Sequence, residues 1–309
     1  MAEVLYDVII IGGGPAGLTA GIYTSRQMLK TILLEGAALG GRAFGAHLIY
    51  NFPGFPEGIS GEELMDRFIA QANKFGVDFR EESVVELQPF GDLKMVVTRK
   101  GIFNSKSIII ATGVQRKQLK VPGETEFKGR GVSYCSICDG PLFKGKAVAV
   151  IGSGTEAIEE ASRMAGIAEK VYAIPGTKGY RVNEEKLNQL ALSEKVEFIE
   201  DVNVESIGGD VFVTNIKLSG DPPRALEVEG VFVSLENVPT TDIIRDAGIT
   251  TNVNGCIIVD SEQRTNVEGV FAAGDCCCGG MQIVIAAGDG GRAGLSVLRY
   301  IKSKQSIEK

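Results

Sequence analysis

Two stretches of the chain are dominated by apolar residues and then break into glycine. EVLYDVIII (3–11) runs into GGGPAG (12–17), and KAVAVI (146–151) runs into GSGTEA (152–157). Short apolar runs bounded by glycine predict strands buried on both faces, as in a parallel sheet. A helix-compatible stretch follows each loop. In TEAIEEASRMAGIA the helical period puts Ala157, Ile158, Ala161, Met164, Ala165 and Ala168 on one face. Glu156, Glu159, Glu160 and Arg163 fall on the other and read as solvated. Ser60 and Glu63 form a capping box that predicts a helix to about Gly76. IIIATG (108–113), GCIIVD (255–260) and GVFAAGD (269–275) read as further strands, the last delivering Asp275 at its carboxyl end.

Strand–loop–helix units in alternation predict an α/β protein with parallel sheets and helices on both faces. The two glycine loops lie far enough apart for each to own a domain. Ligands gather at the carboxyl ends of such strands, so the last stretch is expected to return to the first domain. The expected division is 1–116 plus 243–309, with 117–242 inserted through short crossings near 113–117 and 240–244.

Composition narrows the partners. The 309 residues are 44% hydrophobic and 23% charged, with a formal net charge of −7 and no basic run. That balance argues against nucleic acid and anionic membrane. Residues 8–25 carry no charge, but Gly12-Gly13-Gly14-Pro15 interrupts any spanning helix there. No basic region followed by a cleavage site opens the chain, and the expected compartment is the cytoplasm.

The first loop carries the residues a dinucleotide needs. Gly12 allows the tight turn, Gly14 lets backbone approach a pyrophosphate, and Gly17 permits close helix–strand packing. The phosphate sits on the helix N-terminus, where free N–H groups and the dipole favour anions. TILLE (31–35) places Glu35 where a ribose hydroxyl partner belongs. The second loop offers Gly152, Gly154 and small Ala157. The strand after it ends in Pro175-Gly176-Thr177, which is neither the acidic residue of an NAD site nor the arginines of an NADP site. Lys178 and Arg181 follow and are the remaining candidates for a phosphate.

Cysteine usage raises a separate question. Cys135 and Cys138 stand two residues apart in YCSICDG, followed by Asp139. A structural zinc needs four ligands, yet the only histidine is His47 and the other cysteines are Cys256 and the run Cys276-Cys277-Cys278. No metal is expected. A redox dithiol with Asp139 managing its protons is the more natural reading, and the remaining thiols are expected to be reduced, with Cys256 in the core. His47 reads as a loop or packing residue.

Taken together, GGGPAG (12–17), Glu35, GG (40–41), NFPG (51–54), ATG (111–113), GRGVSYCSICDG (129–140), GSGTEA (152–157) and GVFAAGD (269–275) resemble the low-molecular-weight thioredoxin reductases over essentially the full chain. The resemblance implies two Rossmann-like domains, the first binding FAD and the inserted one NAD(P)H-binding-like and carrying the CxxC. It implies a homodimeric flavoprotein disulfide reductase acting on a thioredoxin-like protein, with glutaredoxin-like or peroxide-linked acceptors also open. By resemblance FAD contacts come from Gly12, Gly14, Pro15, Ala16, Gly17, Glu35, Gly41, Arg42, Asn51, Ala111, Thr112, Gly113, Gly274, Asp275, Met281, Gln282 and Ile283. Cys138 would face the flavin, Cys135 would attack the partner, and a rotation of one domain would alternate the contacts.

The departures cluster on the second nucleotide site. Pro175-Gly176-Thr177 replaces the His-Arg-Arg of the family, and SLENVPTT (234–241) puts Glu236 and Asn237 where Gly-His is usual. Each lost charge-assisted bond costs roughly 1.5–3 kcal/mol, so NADPH affinity is expected to fall by about two orders of magnitude. Arg42 and Met281 also depart, replacing glutamine and arginine near the flavin. Some family branches with similarly eroded sites, in archaea and anaerobic bacteria, take electrons from a reduced deazaflavin coenzyme or from ferredoxin. Those donors join NADPH as expectations, with a non-turnover FAD redox sensor as a further alternative.

Overall fold

The computed structural model describes residues 4–182, 184–220, 223–235, 237–239, 242–244 and 246–307. Glu3, Glu236, Thr240 and Thr241 lie outside them, as does the side chain of Asn237. Two compact units result: residues 1–115 with 238–309, and residues 116–237.

The first unit opens with β1 (Leu5–Ile11), α1 (Pro15–Arg26), β2 (Thr31–Glu35), α2 (Gly41–Phe44) and α3 (Gly61–Lys74). It continues through β3 (Asp78–Glu81), β4 (Val84–Gln88), β5 (Lys94–Thr98) and β6 (Ile102–Ile110). The chain then leaves along β7 (Val114–Arg116). Ser60 caps α3, its hydroxyl accepting the Glu63 N–H at 3.1 Å. The helix ends at Lys74, just before Gly76 in the left-handed region (φ 81°).

In the second unit, β8 (Val132–Ser133) leads into α4 (Ser136–Asp139), then β9 (Ala147–Ile151), α5 (Thr155–Ala165), β10 (Lys170–Gly176) and α6 (Glu184–Ala191). After them come β11 (Val196–Glu200), β12 (Val204–Gly209), β13 (Val213–Leu218), β14 (Arg224–Glu227) and β15 (Gly230–Val233). β16 (Asn237–Pro239) pairs with β7 where the chain crosses back. The first unit is completed by β17 (Val270–Ala272) and α7 (Ile283–Ile307).

The larger sheet has the order β3-β2-β1-β6-β5-β4. β6 is long enough to serve two partners on one edge. Its first half pairs antiparallel with β5, while Ile108–Ile110 pair parallel with Val270–Ala272 of β17. β17 therefore ends beside the carboxyl ends of β1 and β6, where ligands collect in such sheets. α1 and α7 cross so closely that a Cβ on Gly290 would lie 2.0 Å from the Ala16 carbonyl oxygen. The inserted unit has a parallel sheet in the order β11-β10-β9-β15-β8 and an antiparallel sheet β12-β13-β14. Both units are α/β nucleotide-binding folds of the expected class.

Two local readings are corrected. GCIIVD (255–260) forms no strand; a single bridge joins Ile257 to Thr251. In α5, Ala157, Ile158, Ala161 and Met164 are buried as the period requires, but Glu160 is buried too. No described helix is long and apolar enough to cross a membrane.

Candidate active site

The cysteine turn is built from β8 outward. Ser133 ends the strand, and its hydroxyl accepts the Cys135 N–H at 3.1 Å while donating to Asp139 Oδ2 at 2.6 Å. Cys135 then occupies the N-cap of α4, where its Sγ accepts the Cys138 N–H at 3.1 Å. A disulfide joins Cys135 to Cys138, their Cα atoms 5.3 Å apart. Cys135 is half-buried and Cys138 exposed.

The element behind the turn is α5. Glu160 Oε1 accepts the Ser136 N–H at 3.3 Å, and Arg163 Nε donates to the Ser136 hydroxyl at 3.0 Å. Ser136 lies between the two cysteines, so α5 holds the loop by its backbone and its side chain together. Sequence reasoning missed Ser133 and Glu160. For Ser133 the spacing to Asp139 was legible; for Glu160 the helical period pointed outward, and only the tertiary position of the turn reverses that.

Around the first glycine loop the structure gathers the residues assigned to FAD. A Cβ on Gly12 (φ +108°) would stand 2.3 Å from the Ala111 carbonyl oxygen, and one on Gly17 would stand 1.9 Å from the Gly12 carbonyl oxygen. Those contacts make glycine obligatory for packing. Gly14 is different: a Cβ there meets nothing within 4 Å, leaving open space above the N-terminus of α1, with Pro15 in its first turn. Gly41 faces that space from the other side, a Cβ on it lying 3.1 Å from the Gly14 Cα. The Glu35 carboxylate accepts the Gly13 N–H at 2.7 Å and the Ala37 N–H at 2.9 Å, which pins the turn that follows β2.

The remaining contributors arrive from β6, β17 and α7. Ala111 is buried, and Gly113 (φ +67°) leaves open space where a Cβ would be. Between them, the Thr112 hydroxyl is buried with no hydrogen-bond partner among the described residues. Gly274 (φ +80°) packs against Ala16, and the next residue, Asp275, lies 3.5 Å from the Arg42 guanidinium. Asn51 Nδ2 donates to Gln282 Oε1 at 3.0 Å, bringing NFPG to the start of α7 beside Met281 and Ile283. An open cleft at a helix N-terminus, an unpartnered buried hydroxyl and a cation beside the loop fit a flavin dinucleotide. Asp289, absent from the sequence reading, lies near this turn: burial pushes its carboxyl up, and the Gly274 N–H donates to it.

The second loop repeats the glycine geometry of the first. A Cβ on Gly152 would stand 2.0 Å from the Ser234 carbonyl oxygen, whereas Gly154 opens onto free space at the start of α5 and Ala157 is buried. Arg181 folds back onto this loop: its N–H donates to the Ser153 carbonyl at 2.7 Å and its guanidinium to the Ser153 hydroxyl at 3.3 Å. The turn after β10 is held by a neutral side chain. Asn203 Oδ1 accepts the Thr177 N–H at 3.3 Å, and its amide donates to the Thr177 hydroxyl at 3.5 Å. Lys178 stands exposed next to that pair.

The other cysteines correct the expectation of reduced thiols. Cys256 is buried, but it is bonded to Cys278, with Cα atoms 5.7 Å apart. Cys276 and Cys277 are free thiols, their sulfurs 3.9 Å apart. Their mutual hydrogen bond holds Cys276 below the ordinary thiol range and, with burial, pushes Cys277 up. Among the described residues no group of His, Cys, Asp and Glu is placed to hold a metal. His47 is exposed in a loop.

Two glycine-loop α/β units, one of them presenting a CxxC disulfide, define a nucleotide-dependent disulfide oxidoreductase. Residues 6–291 match the family described as pyridine nucleotide-disulphide oxidoreductase. A thioredoxin reductase from Listeria monocytogenes is 38% identical over 312 aligned residues, covering 99% of this chain and 97% of the relative. Of the solved structures, thioredoxin reductase from Streptococcus pyogenes superposes with a TM-score of 0.93 at 36% identity, covering 98% of this chain and 100% of that one. Thioredoxin reductase from Giardia duodenalis gives 0.91 at 32% identity, covering 97% and 100%. The chain belongs to the pyridine nucleotide-disulphide oxidoreductases and, within them, to the low-molecular-weight thioredoxin reductases. It is accordingly an FAD-dependent oxidoreductase acting on a disulfide.

Proposed function

We propose that this chain reduces the disulfide of a thioredoxin-like protein through Cys135 and Cys138, drawing on an electron donor other than NADPH. The observation that carries the donor reading is the neutral Thr177–Asn203 pair at the ribose end of the second loop. A 2′-phosphate is best held by guanidinium groups, whereas the side chain that holds the Thr177 backbone and hydroxyl is the neutral Asn203. A reduced deazaflavin coenzyme or reduced ferredoxin is the donor class this arrangement supports.

In this reading the first unit holds FAD. The N-terminus of α1, Gly14 and Gly41 take the pyrophosphate, with Glu35 toward the adenosine ribose and Asp275 toward the ribityl chain. When bound, FAD supplies the electron pair that opens the Cys135–Cys138 disulfide. The chain's own residues then carry the exchange. Cys135 as thiolate attacks the partner's disulfide and forms a mixed disulfide. Cys138 resolves it, re-forming the internal bond and releasing the partner as a dithiol. Asp139, oriented by the Ser133 hydroxyl, passes the protons this exchange moves. A homodimer in the cytoplasm is the setting proposed.

A second reading has one observation in its favour: Arg181 already sits on the second glycine loop through Ser153, near a pyrophosphate's position. An ordinary NADPH-dependent enzyme would use it. Anaerobic mixing of the yellow protein with NADPH, NADH, reduced deazaflavin coenzyme and reduced ferredoxin separates the two, with flavin bleaching as the readout. Rapid, saturable bleaching by micromolar NADPH would overturn the donor proposal; bleaching by a deazaflavin or ferredoxin alone supports it.

A further inference from the structure

The second disulfide lies in the unit that the site assignment gives to FAD. Cys256 and Cys278 are 22 residues apart in sequence. The segment between them contains β17, Gly274 and Asp275, so the bond closes a loop around the turn that approaches the flavin. Cys278 caps the 3₁₀ turn Asp275–Cys277 in the left-handed region (φ 57°), its N–H donating to the Asp275 carbonyl at 2.9 Å. On the other side of the clamp, the Ile257 N–H donates to the Cys276 carbonyl at 2.9 Å. The Asn252 side chain fixes the Cys256 N–H at 3.1 Å.

The two sulfurs differ in access. Cys256 is 2% exposed, whereas Cys278 is half-buried and leads into the exposed pair Gly279-Gly280. An incoming thiolate therefore reaches Cys278 and expels Cys256. Cys278 also lies three residues before Met281 (φ 50°), and Gln282 follows, held by Asn51. A left-handed non-glycine residue is unfavourable by itself and persists only where its surroundings over-determine it. At Cys278 the crosslink is one of those surroundings.

We propose that Cys256–Cys278 is a second redox-active centre, opened by a reduced dithiol protein of the class this enzyme produces, and that opening it loosens the hold of the Asp275 turn on FAD. The inference rests on the FAD reading of the first unit. In the first step a partner thiolate attacks Cys278 Sγ, the Cys256–Cys278 bond breaks, and Cys256 leaves as a thiolate that takes a proton. In the second step the partner's other thiol attacks the mixed disulfide and releases Cys278, which takes the second proton. The partner ends as a disulfide and this chain as a Cys256/Cys278 dithiol, so two electrons and two protons move together. An oxidised partner reverses the reaction. The consequence is feedback: a pool already reduced weakens the enzyme's grip on its flavin.

The test uses the purified yellow protein. Alkylation of the oxidised form under denaturing, non-reducing conditions, followed by peptide mass mapping, should label Cys276 and Cys277 and recover Cys256 linked to Cys278. A tenfold excess of reduced bacterial thioredoxin should expose Cys256 and Cys278 to labelling. Release of FAD, followed by free-flavin fluorescence after dilution, should then quicken about tenfold. A Cys256→Ser/Cys278→Ser variant, which keeps Cys135 and Cys138, should release FAD at the faster rate with or without thioredoxin. If release ignores the state of Cys256–Cys278, or the linked peptide is missing, the proposal fails. A colourless protein that takes up no added FAD sinks the flavin reading instead. A Cys135→Ser/Cys138→Ser protein, in which thioredoxin can open only Cys256–Cys278, should show the same acceleration, so poor folding of the Cys256→Ser/Cys278→Ser protein leaves the test intact.

Discussion

Ser133 illustrates how one small side chain sets the chemistry of the cysteine turn. Its hydroxyl accepts from the Cys135 N–H and donates to Asp139, so the carboxylate faces the dithiol in one orientation. Ser133→Ala removes this brace from Asp139 without emptying any core. Reduction of a thioredoxin disulfide should slow about tenfold, a fraction of what losing the proton carrier itself would cost, and the pH profile should move with it. Ser133→Thr should restore both; an unchanged pH profile in the alanine variant would show that Asp139 needs no brace. At the second loop a single residue tests the donor reading. Gly176 has φ +84°, a region where arginine is strained, but Thr177 is exposed and tolerant. Thr177→Arg gives up the hydroxyl contact with Asn203 and offers a guanidinium to a 2′-phosphate. One charge-assisted bond of about 1.5–3 kcal/mol should tighten NADPH binding tenfold or more and leave NADH unchanged. Equal effects on both nucleotides would mean that this turn does not face the ribose.

At the scale of elements, β5 begins with a buried cation. Lys94 is 2% exposed, its ammonium donating to the Gly91 carbonyl at 2.6 Å, and burial holds its pKa below the ordinary lysine value. At neutral pH the folded chain carries a desolvated charge that the unfolded chain keeps in water. As pH rises through the lowered pKa the folded form loses that proton first, and the penalty disappears by the unfolded value of about 10.5. Lys94→Met should therefore stabilise by about 1 kcal/mol at pH 7, an increase of a few degrees in Tm. The gain should shrink as pH approaches 10. A variant less stable at pH 7 would show that the bond to Gly91 outweighs the desolvation. The apolar strands β1, β6 and β9 and the cap of α3 were legible because burial on both faces and capping chemistry are written locally. GCIIVD misled because only Cys256 and Ile257 of it are buried, held by a disulfide and one bridge rather than by a sheet, while Ile258 is exposed. Glu160 misled for the opposite reason: a helical period marks which face is apolar, not which polar residue a neighbouring turn recruits. The glycine loops and CxxC were readable as spacings. The Cys256–Cys278 pair was not, since connectivity among several cysteines is a tertiary fact.

For the whole molecule the question is how two units share one chain. The second is inserted at 116–237 and joined to the first by two crossings. Each has its own buried clusters, around Val8, Leu18 and Ile109 in the first and Val148, Met164 and Phe232 in the second. Units with separate cores melt separately unless an interface or a ligand couples them. FAD is proposed to touch residues of the first unit, so its binding energy belongs to that unit. At a free concentration one hundred times Kd, a ligand bound only by the folded state stabilises by about 2.7 kcal/mol. For a unit of this size that corresponds to roughly 5–10 °C. Calorimetry of flavin-stripped protein should show two transitions, with added FAD raising one by that amount and leaving the other in place. Limited proteolysis between the two temperatures should assign them: fragments within 116–237 should survive if the second unit melts last, and should be cut first if it melts first. Replacing Cys256 and Cys278 with serine removes a loop closure in the first unit worth about 3 kcal/mol by loop entropy and leaves Cys135–Cys138 intact, so it should lower the FAD-sensitive transition alone. A single transition that FAD moves as a whole would mean that the flavin is held by both units together, and the assignment of its site to the first would have to be given up.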